Sequence, residues 1–417
     1  MSTSGKTIAV LGTLDTKGHE HAFVAAAIRA QGHATLLIDV GGLGAPQVTP
    51  DVTREEVAAV TGTDLPALSA RKDRGAMIAA LAQAAPVFLA HLAAARKIHG
   101  AISLGGTGGT AIGTAAMRAL PVGFPKVMVS TAASGNVAAY VGVKDIVMIP
   151  SIVDVAGLNR ISRKIFTEAA GAIAGMVTAV SSTAADASVA KPLIVASMFG
   201  NTTQAVEHAR KILEAAGYEV LVFHATGTGG RTMESLIETG LVAGVLDLTT
   251  TEWADELVGG VFNAGPTRLE AAARRGVPAI ITPGCLDMVN FGAPETVPAK
   301  FAGRKFYPHN PQVTLMRTTP AECTELGRIL AEKANLSAGP VTVLLPLRAI
   351  SVISEPGGAF HDPIADAALF GAIKQHLRRD IPIVELETTV NDPVFAAACA
   401  RELLAAMGKT VSTPRAP

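Results

Sequence analysis

Ala101-Ile-Ser-Leu-Gly-Gly-Thr-Gly-Gly-Thr-Ala111 carries a short apolar run straight into four glycines and two threonines, and a helix-compatible segment up to Met117 follows. Glycine lets the chain turn through backbone angles closed to other residues and puts no side chain between the amides and a ligand. A helix starting behind such a turn aims its unpaired N–H groups and the positive end of its dipole at the same place. That combination holds anions, phosphate above all. The arrangement recurs where Ile8–Leu11 enters Gly12-Thr-Leu-Asp-Thr-Lys-Gly18, and where Leu221–His224 enters Ala225-Thr-Gly-Thr-Gly-Gly230. Three such loops predict a ligand-binding α/β protein.

Standard fingerprints fit these loops badly. Gly106-x-Gly108-x-x-Ala111 matches the Gly/Ala form of the dinucleotide loop, but the next apolar run, Lys126–Ser130, brings no acidic residue to hold a ribose. Gly12 to Gly18 has one residue too many for a P-loop, and Lys17 precedes the second glycine. The 105–110 segment reads as an anion loop, with an NAD site and plain strand-to-helix turns as the alternatives.

A chain of 417 residues has room for two or three domains. Lys+Arg and Asp+Glu both number 35, so no basic surplus attracts nucleic acid, and 4% aromatic residues leave few stacking platforms. Cys285, Cys323 and Cys399 are far apart and show no metal spacing, which predicts buried thiols in a reducing compartment. Ile8–Leu11 is too short for a signal peptide and Ala169–Val180 too short for a span. The default expectation is a cytoplasmic protein with neither membrane nor nucleic-acid partners.

Strand candidates are 7–12, 34–39, 100–104, 126–130 and 146–149, then 192–198, 219–224, 243–248, 278–282, 341–345 and 382–385. Helical stretches such as 19–31, 75–97, 203–216 and 266–275 lie between them. Unbroken Val, Ile and Leu runs suit strands buried on both faces, and βα alternation gives parallel sheets. Thr178–Ser188 is small and polar and reads as a seam after a helix over 158–178. The expectation is two doubly wound Rossmann-like domains, 1–180 and 190–408, with their parallel sheets facing a common cleft.

Candidate ligand-binding residues in the first domain are Gly12, Thr13, Asp15, Thr16 and Lys17, Gly105 through Thr110 (Gly105, Gly106, Thr107, Gly108, Gly109, Thr110), and Ser130, Ser134 and Asn136 after the strand at 126–130. Lysine in such a loop neutralises phosphate, and Asp15 or Thr16 is placed to hold Mg²⁺ or a ribose, or else to cap the next helix. In the second domain His224 and Glu252 stand at strand ends, suited to proton transfer or metal binding, although Glu252 also favours a helix dipole. Asp247 and Asp255 flank the same strand end. Pro283–Gly292 and Phe306–Pro311 read as long functional loops, with Asp287, Asn290, His309 and Asn310 as their candidates. Asp362 and Asp392, each before a proline, are expected as helix caps, with His361 nearby. The catalytic set is thus His224, Glu252, Asp287 and His309, of which at least three are expected to line one cleft facing the glycine loops of the first domain.

Longer strings carry a resemblance. GTLDTKG at 12–18, GGTGGT at 105–110, LPVGFPKVMVSTAASGN at 120–136 and DVAGLNRISR at 154–163 resemble the ATP-binding-domain family named for the tomato mosaic virus resistance protein. FHATGTGGRTMESLI at 223–237, LDLTTTEWADEL at 246–257, LDMVNFG at 286–292 and HNPQVTLMRTTPAE at 309–322 extend it through the second half. The resemblance implies two Rossmann-like subdomains, ATP on the first-half loops, and dimers. It also implies a TIM-barrel partner resembling phosphoenolpyruvate hydrolases. The family is expected to keep a polar residue, often histidine, before Asn391-Asp392; here the run is Glu387-Thr-Thr-Val390, so that role has no carrier.

Three functions compete at this point. The first is an ATP-binding protein of small-molecule metabolism, using ATP with Mg²⁺. The second is a metal- or acid/base-dependent hydrolase or carbon–carbon lyase on the second-domain set. The third is a non-catalytic assembly module.

Overall fold

A computed structural model describes residues 5–42, 44–70, 73–183 and 191–408. The chain divides into two compact units, Met1–Ser188 and Val189–Pro417. The first holds β1 (Thr7–Gly12), β2 (Ala34–Asp39), β3 (Gly100–Gly105), β4 (Lys126–Ser130) and β5 (Val147–Pro150) in the order β2-β1-β3-β4-β5. All neighbours run parallel. Successive side chains feed opposite faces. Ala9, Leu11, Ala101 and Met128 join the core on one side, while Ile8, Val10, Ile102 and Val127 join the core on the other. Both faces are covered by helices, which is why the strands read as continuous apolar runs.

The second unit contains β6 (Leu193–Met198), β7 (Glu219–His224), β8 (Val242–Thr249), β9 (Ala279–Gly284), β10 (Met288–Phe291), β11 (Phe306–Asn310), β12 (Val313–Arg317), β13 (Val341–Pro346) and β14 (Ile383–Leu386). Six of them form a parallel sheet, β14-β13-β9-β8-β6-β7. Every parallel strand coincides with a stretch expected from the sequence, within two residues at either end.

Three expectations need correction. The stretches 283–292 and 306–311 are not long loops: with β12 they build an antiparallel sheet, β10-β12-β11. Phe199, Cys285, Met288, Leu315 and Phe360 pack together, so this sheet lies over the carboxyl ends of β6 and β9. The seam is shorter than expected, because helix Arg160–Thr183 runs through its first six residues; 184–190 lie outside the described residues. Finally, two described helices, Gly75–Ala94 and Arg160–Ser182, are long and apolar enough to cross a membrane by length and composition. Each contributes one face to the core of the first unit, through Met77, Leu81 and Leu89 and through Phe166, Ile173 and Val177. The three cysteines are buried and unpaired, and burial raises each thiol pKa. Asp362 and Asp392 cap helices Pro363–His376 and Pro393–Ala406 through side-chain bonds to Ala365 and Val394.

Candidate functional site

In the order β2-β1-β3 the chain leaves β1 toward one side and returns on the other, so the loops after β1 and β3 part at their carboxyl ends. Pairing between these strands stops at Leu11 and Ser103. His21 fills the gap beyond it. Its Nε2 accepts the Leu104 amide at 3.3 Å and its Nδ1 lies 2.7 Å from the Lys17 carbonyl, so the proton sits on Nδ1 and the ring is neutral. Complete burial lowers its pKa and favours that state. Gly12 is required here, since a Cβ would stand 2.0 Å from His21 Nε2. Sequence reasoning missed His21; the one trace was a histidine nine residues after a strand-end glycine.

A cavity of ≈ 140 Å³ lies between the two loops, lined by Thr13, Asp15, Thr16 and Lys17 from the first and Gly106 through Gly109 from the second, with Gly42, Ile78 and Ile112 completing it. Helix Thr107–Arg118 has Gly106 as its N-cap and no side-chain cap. Its first backbone bond is Thr110 N–H to the Gly106 carbonyl at 2.9 Å, which leaves the amides of Thr107, Gly108 and Gly109 without an acceptor among the described residues. A Cβ on Gly108 would meet nothing within 4 Å. The space in front of these amides is open.

The first loop contributes less of its backbone. Leu14 N–H donates to Asp39 Oδ1 at 3.1 Å, and the amides of Thr16 and Lys17 both bond the Thr13 carbonyl. Lys17 donates Nζ to the Val155 carbonyl, and Glu20 accepts the Gly157 amide, so helix Leu14–Arg29 holds the segment after β5. Asp15 accepts the Gly42 amide on Oδ2 at 3.0 Å; its Oδ1 is buried and unpartnered. Among the described residues no three of His, Cys, Asp and Glu gather into a metal cage. A Mg²⁺ with mostly water and phosphate ligands needs only one or two carboxylates, and Asp15 Oδ1 fits that part.

Other expected residues shape the cavity without lining it. Thr110 and Ser130 are buried and bond each other at 2.6 Å, with Thr110 also on the Gly105 carbonyl and Ser130 accepting the Ala132 amide. They fasten the ends of β3 and β4. Gly105 allows Gly109 to approach, since a Cβ there would lie 2.8 Å from Gly109 Cα. Ser134 and Asn136 are exposed, and Asn136 accepts the Ala138 amide.

The third glycine loop is already occupied. Glu252 Oε1 accepts the amides of Gly227 and Gly230 at 2.7 and 3.0 Å, and its Oε2 takes Arg268 Nε at 2.6 Å. Arg268, 1% exposed, also meets both oxygens of Asp247 and Oε1 of Glu234. Asp287 belongs to a separate cluster: Oδ2 accepts Ser351 Oγ at 2.7 Å, Oδ1 is unpartnered, and Arg317, ion-paired to Asp366, supplies the nearby charge. His224, at the end of the edge strand β7, is exposed, and its ring packs at a tilt against Phe199 with centroids 5.4 Å apart. His309 is exposed on edge strand β11. Glu252 and Asp287 therefore answer to different arginines, while both histidines lie at the surface.

Residues 6–182 match the N-terminal domain, and residues 191–407 the C-terminal domain, of the Uncharacterised protein family UPF0261. A UPF0261 protein of Clostridium tetani is 49% identical over 405 residues, 97% of this chain and 100% of that one. The chain belongs to the UPF0261 family. A second UPF0261 protein, from Rhizobium meliloti, is 49% identical over 395 residues, covering 94% of this chain and 97% of that one. The tomato ToMV resistance protein Tm-1(GCR237) is 41% identical over 329 residues, 78% of this chain but 44% of the tomato protein.

In this UPF0261 chain the antiparallel sheet is tied down by a carboxyl group that resists ionisation. Asp255 accepts both the amide and the side-chain amide of Asn290 on β10, at 2.6 and 2.7 Å. Burial pushes its pKa up to about 7. A carboxyl pKa raised by folding adds stability that is complete below the unfolded value near 4 and is lost as pH rises through about 7. Asp255→Asn is expected to flatten the stability profile over that window by about 1.4 kcal/mol per pH unit. Urea midpoints at several pH values would test this; parallel profiles for the two proteins would refute it.

Proposed function

We propose that this UPF0261 chain binds ATP, with its phosphates on the amides of Thr107, Gly108 and Gly109, and that Asp15 would hold the accompanying Mg²⁺. The carrying observation is the open space in front of three unbonded helix-terminal amides. At ≈ 140 Å³ the cavity is smaller than the roughly 300 Å³ and upward of whole-ligand pockets, which suits phosphates inside and sugar and base beyond the rim. Bound Mg²⁺ would offset phosphate charge, while Lys17 adds a cation beside it. The wider reading is an ATP-using enzyme of small-molecule metabolism, cytoplasmic and homo-oligomeric, working with a TIM-barrel partner resembling phosphoenolpyruvate hydrolases. It is favoured over a hydrolase or lyase built on His224, Glu252, Asp287 and His309 because Glu252 and Asp287 are each committed to other partners.

Calorimetric titration with ATP, in Mg²⁺ and in chelator, tests the proposal; absence of saturable heat in both would refute it. Asp15→Asn is expected to lower affinity for Mg²⁺–ATP by about tenfold, on the order of one charge-assisted contact, while leaving affinity for metal-free ATP unchanged or higher. An unaltered Mg²⁺ dependence would remove Asp15 from the metal.

A further inference from the structure

β12 is the middle strand of the antiparallel sheet, and its alternation sends Leu315 to one face and Thr314 and Met316 to the other. Leu315 packs over the parallel sheet with Cys285 and Met288. Phe306 and Pro308 pair with Met316 and Thr314, and therefore share the second face. Two one-turn segments, Pro294–Thr296 and Ala299–Phe301, cross that face. A groove of ≈ 320 Å³ remains between them and the strands, walled by Pro294, Pro298, Ala302, Phe306 and Pro308, with Thr314 against its floor.

We propose that this groove binds a neutral, flat, apolar molecule of about ten non-hydrogen atoms whose single hydroxyl or carbonyl group bonds to Thr314. Volume sets the size: an apolar cavity of about 150 Å³ holds benzene, and this one is about twice as large. Charge sets the class, because no lining residue is charged. Thr314 sets the polar contact. It is 3% exposed, and its Oγ1 is buried with no hydrogen-bond partner among the described residues, a state that a ligand's polar group relieves. Apolar walls with one polar anchor are the usual make-up of a small-molecule site.

Larger occupants fit poorly. Eight residues line the groove, against about 20–30 a side in a stable protein interface. A peptide strand added to β11 would lack a donor at Pro308 and meet the irregularity between Pro308 and Asn310.

The test is NMR titration of the full chain with 2-naphthol and with naphthalene, which lacks the hydroxyl. Both are expected to give saturable shifts at Ala299, Ala302 and Thr314. Thr314→Val keeps the shape and removes the hydroxyl. It is expected to weaken 2-naphthol about fivefold, leave naphthalene within about twofold, and raise the melting temperature by removing the unpartnered group. Ala302→Trp, or Ala299→Phe if the first variant folds poorly, should block both probes. Absence of saturable shifts, shifts centred elsewhere, or equal weakening of both probes by Thr314→Val would overturn the proposal.

Discussion

Gly108→Val is expected to abolish ATP binding while the chain keeps its fold. Valine's Cβ meets no protein atom within 4 Å, and Gly108 sits in the first turn of helix Thr107–Arg118 without a positive φ. The added methyl groups stand where phosphate oxygens must come within about 3 Å of the amides. Losing two or three charge-assisted bonds of about 1.5–3 kcal/mol each corresponds to a fall in affinity of more than about 100-fold. Calorimetry reads the affinity and thermal unfolding reads the fold. Retained affinity in a folded variant would place the nucleotide elsewhere. Gly105→Ala is the contrasting substitution: its Cβ strikes the Gly109 backbone, so binding and stability should fall together.

Arg268→Met is expected to be among the most damaging substitutions in the second unit. It removes the cation that, among the described residues, pairs with Asp247, Glu252 and Glu234, and leaves those carboxylates buried against each other. Removing one partner of a buried ion pair costs about 3–5 kcal/mol. The sign with pH is definite. Burial already raises the Glu234 pKa and the Arg268 charge opposes that rise, so without the arginine Glu234 ionises at still higher pH in the folded chain, and the variant's deficit grows as pH rises and shrinks toward pH 5. Denaturant midpoints at pH 5 and pH 8 would show it. A deficit that is absent, or independent of pH, would mean that the cluster is not held together by charge.

The inner parallel strands were legible because they are apolar runs buried on both faces, as in Ile8–Leu11 or Val343–Leu345, and the edge strands β5, β7 and β14 keep apolar runs although they are only partly buried. The antiparallel sheet was not. Phe306-Tyr-Pro-His-Asn310 carries a proline and exposed polar residues, and β10 is only four residues long, so neither has the alternation that marks a strand. The turn from β3 into helix Thr107–Arg118 was readable from its glycines. Which loop is open was not, because what fills a set of amides is a matter of which side chain folds onto it. Gly227 and Gly230 are met by a glutamate more than twenty residues away in sequence. His21 escaped notice for a similar reason, since its importance lies in Leu104, 83 positions further along.

Glu252 in the glycine loop has a consequence for how such loops are counted. A carboxylate carried by the same chain reaches its amides intramolecularly, at an effective concentration set by the fold and independent of what the solution holds. The loop between β7 and helix Thr228–Ile237 thus works as a rivet joining two strand ends, with the shape of a ligand site and no vacancy for a ligand. One architecture repeated in two units leaves its helix-terminal amides open in the first and closes them internally in the second.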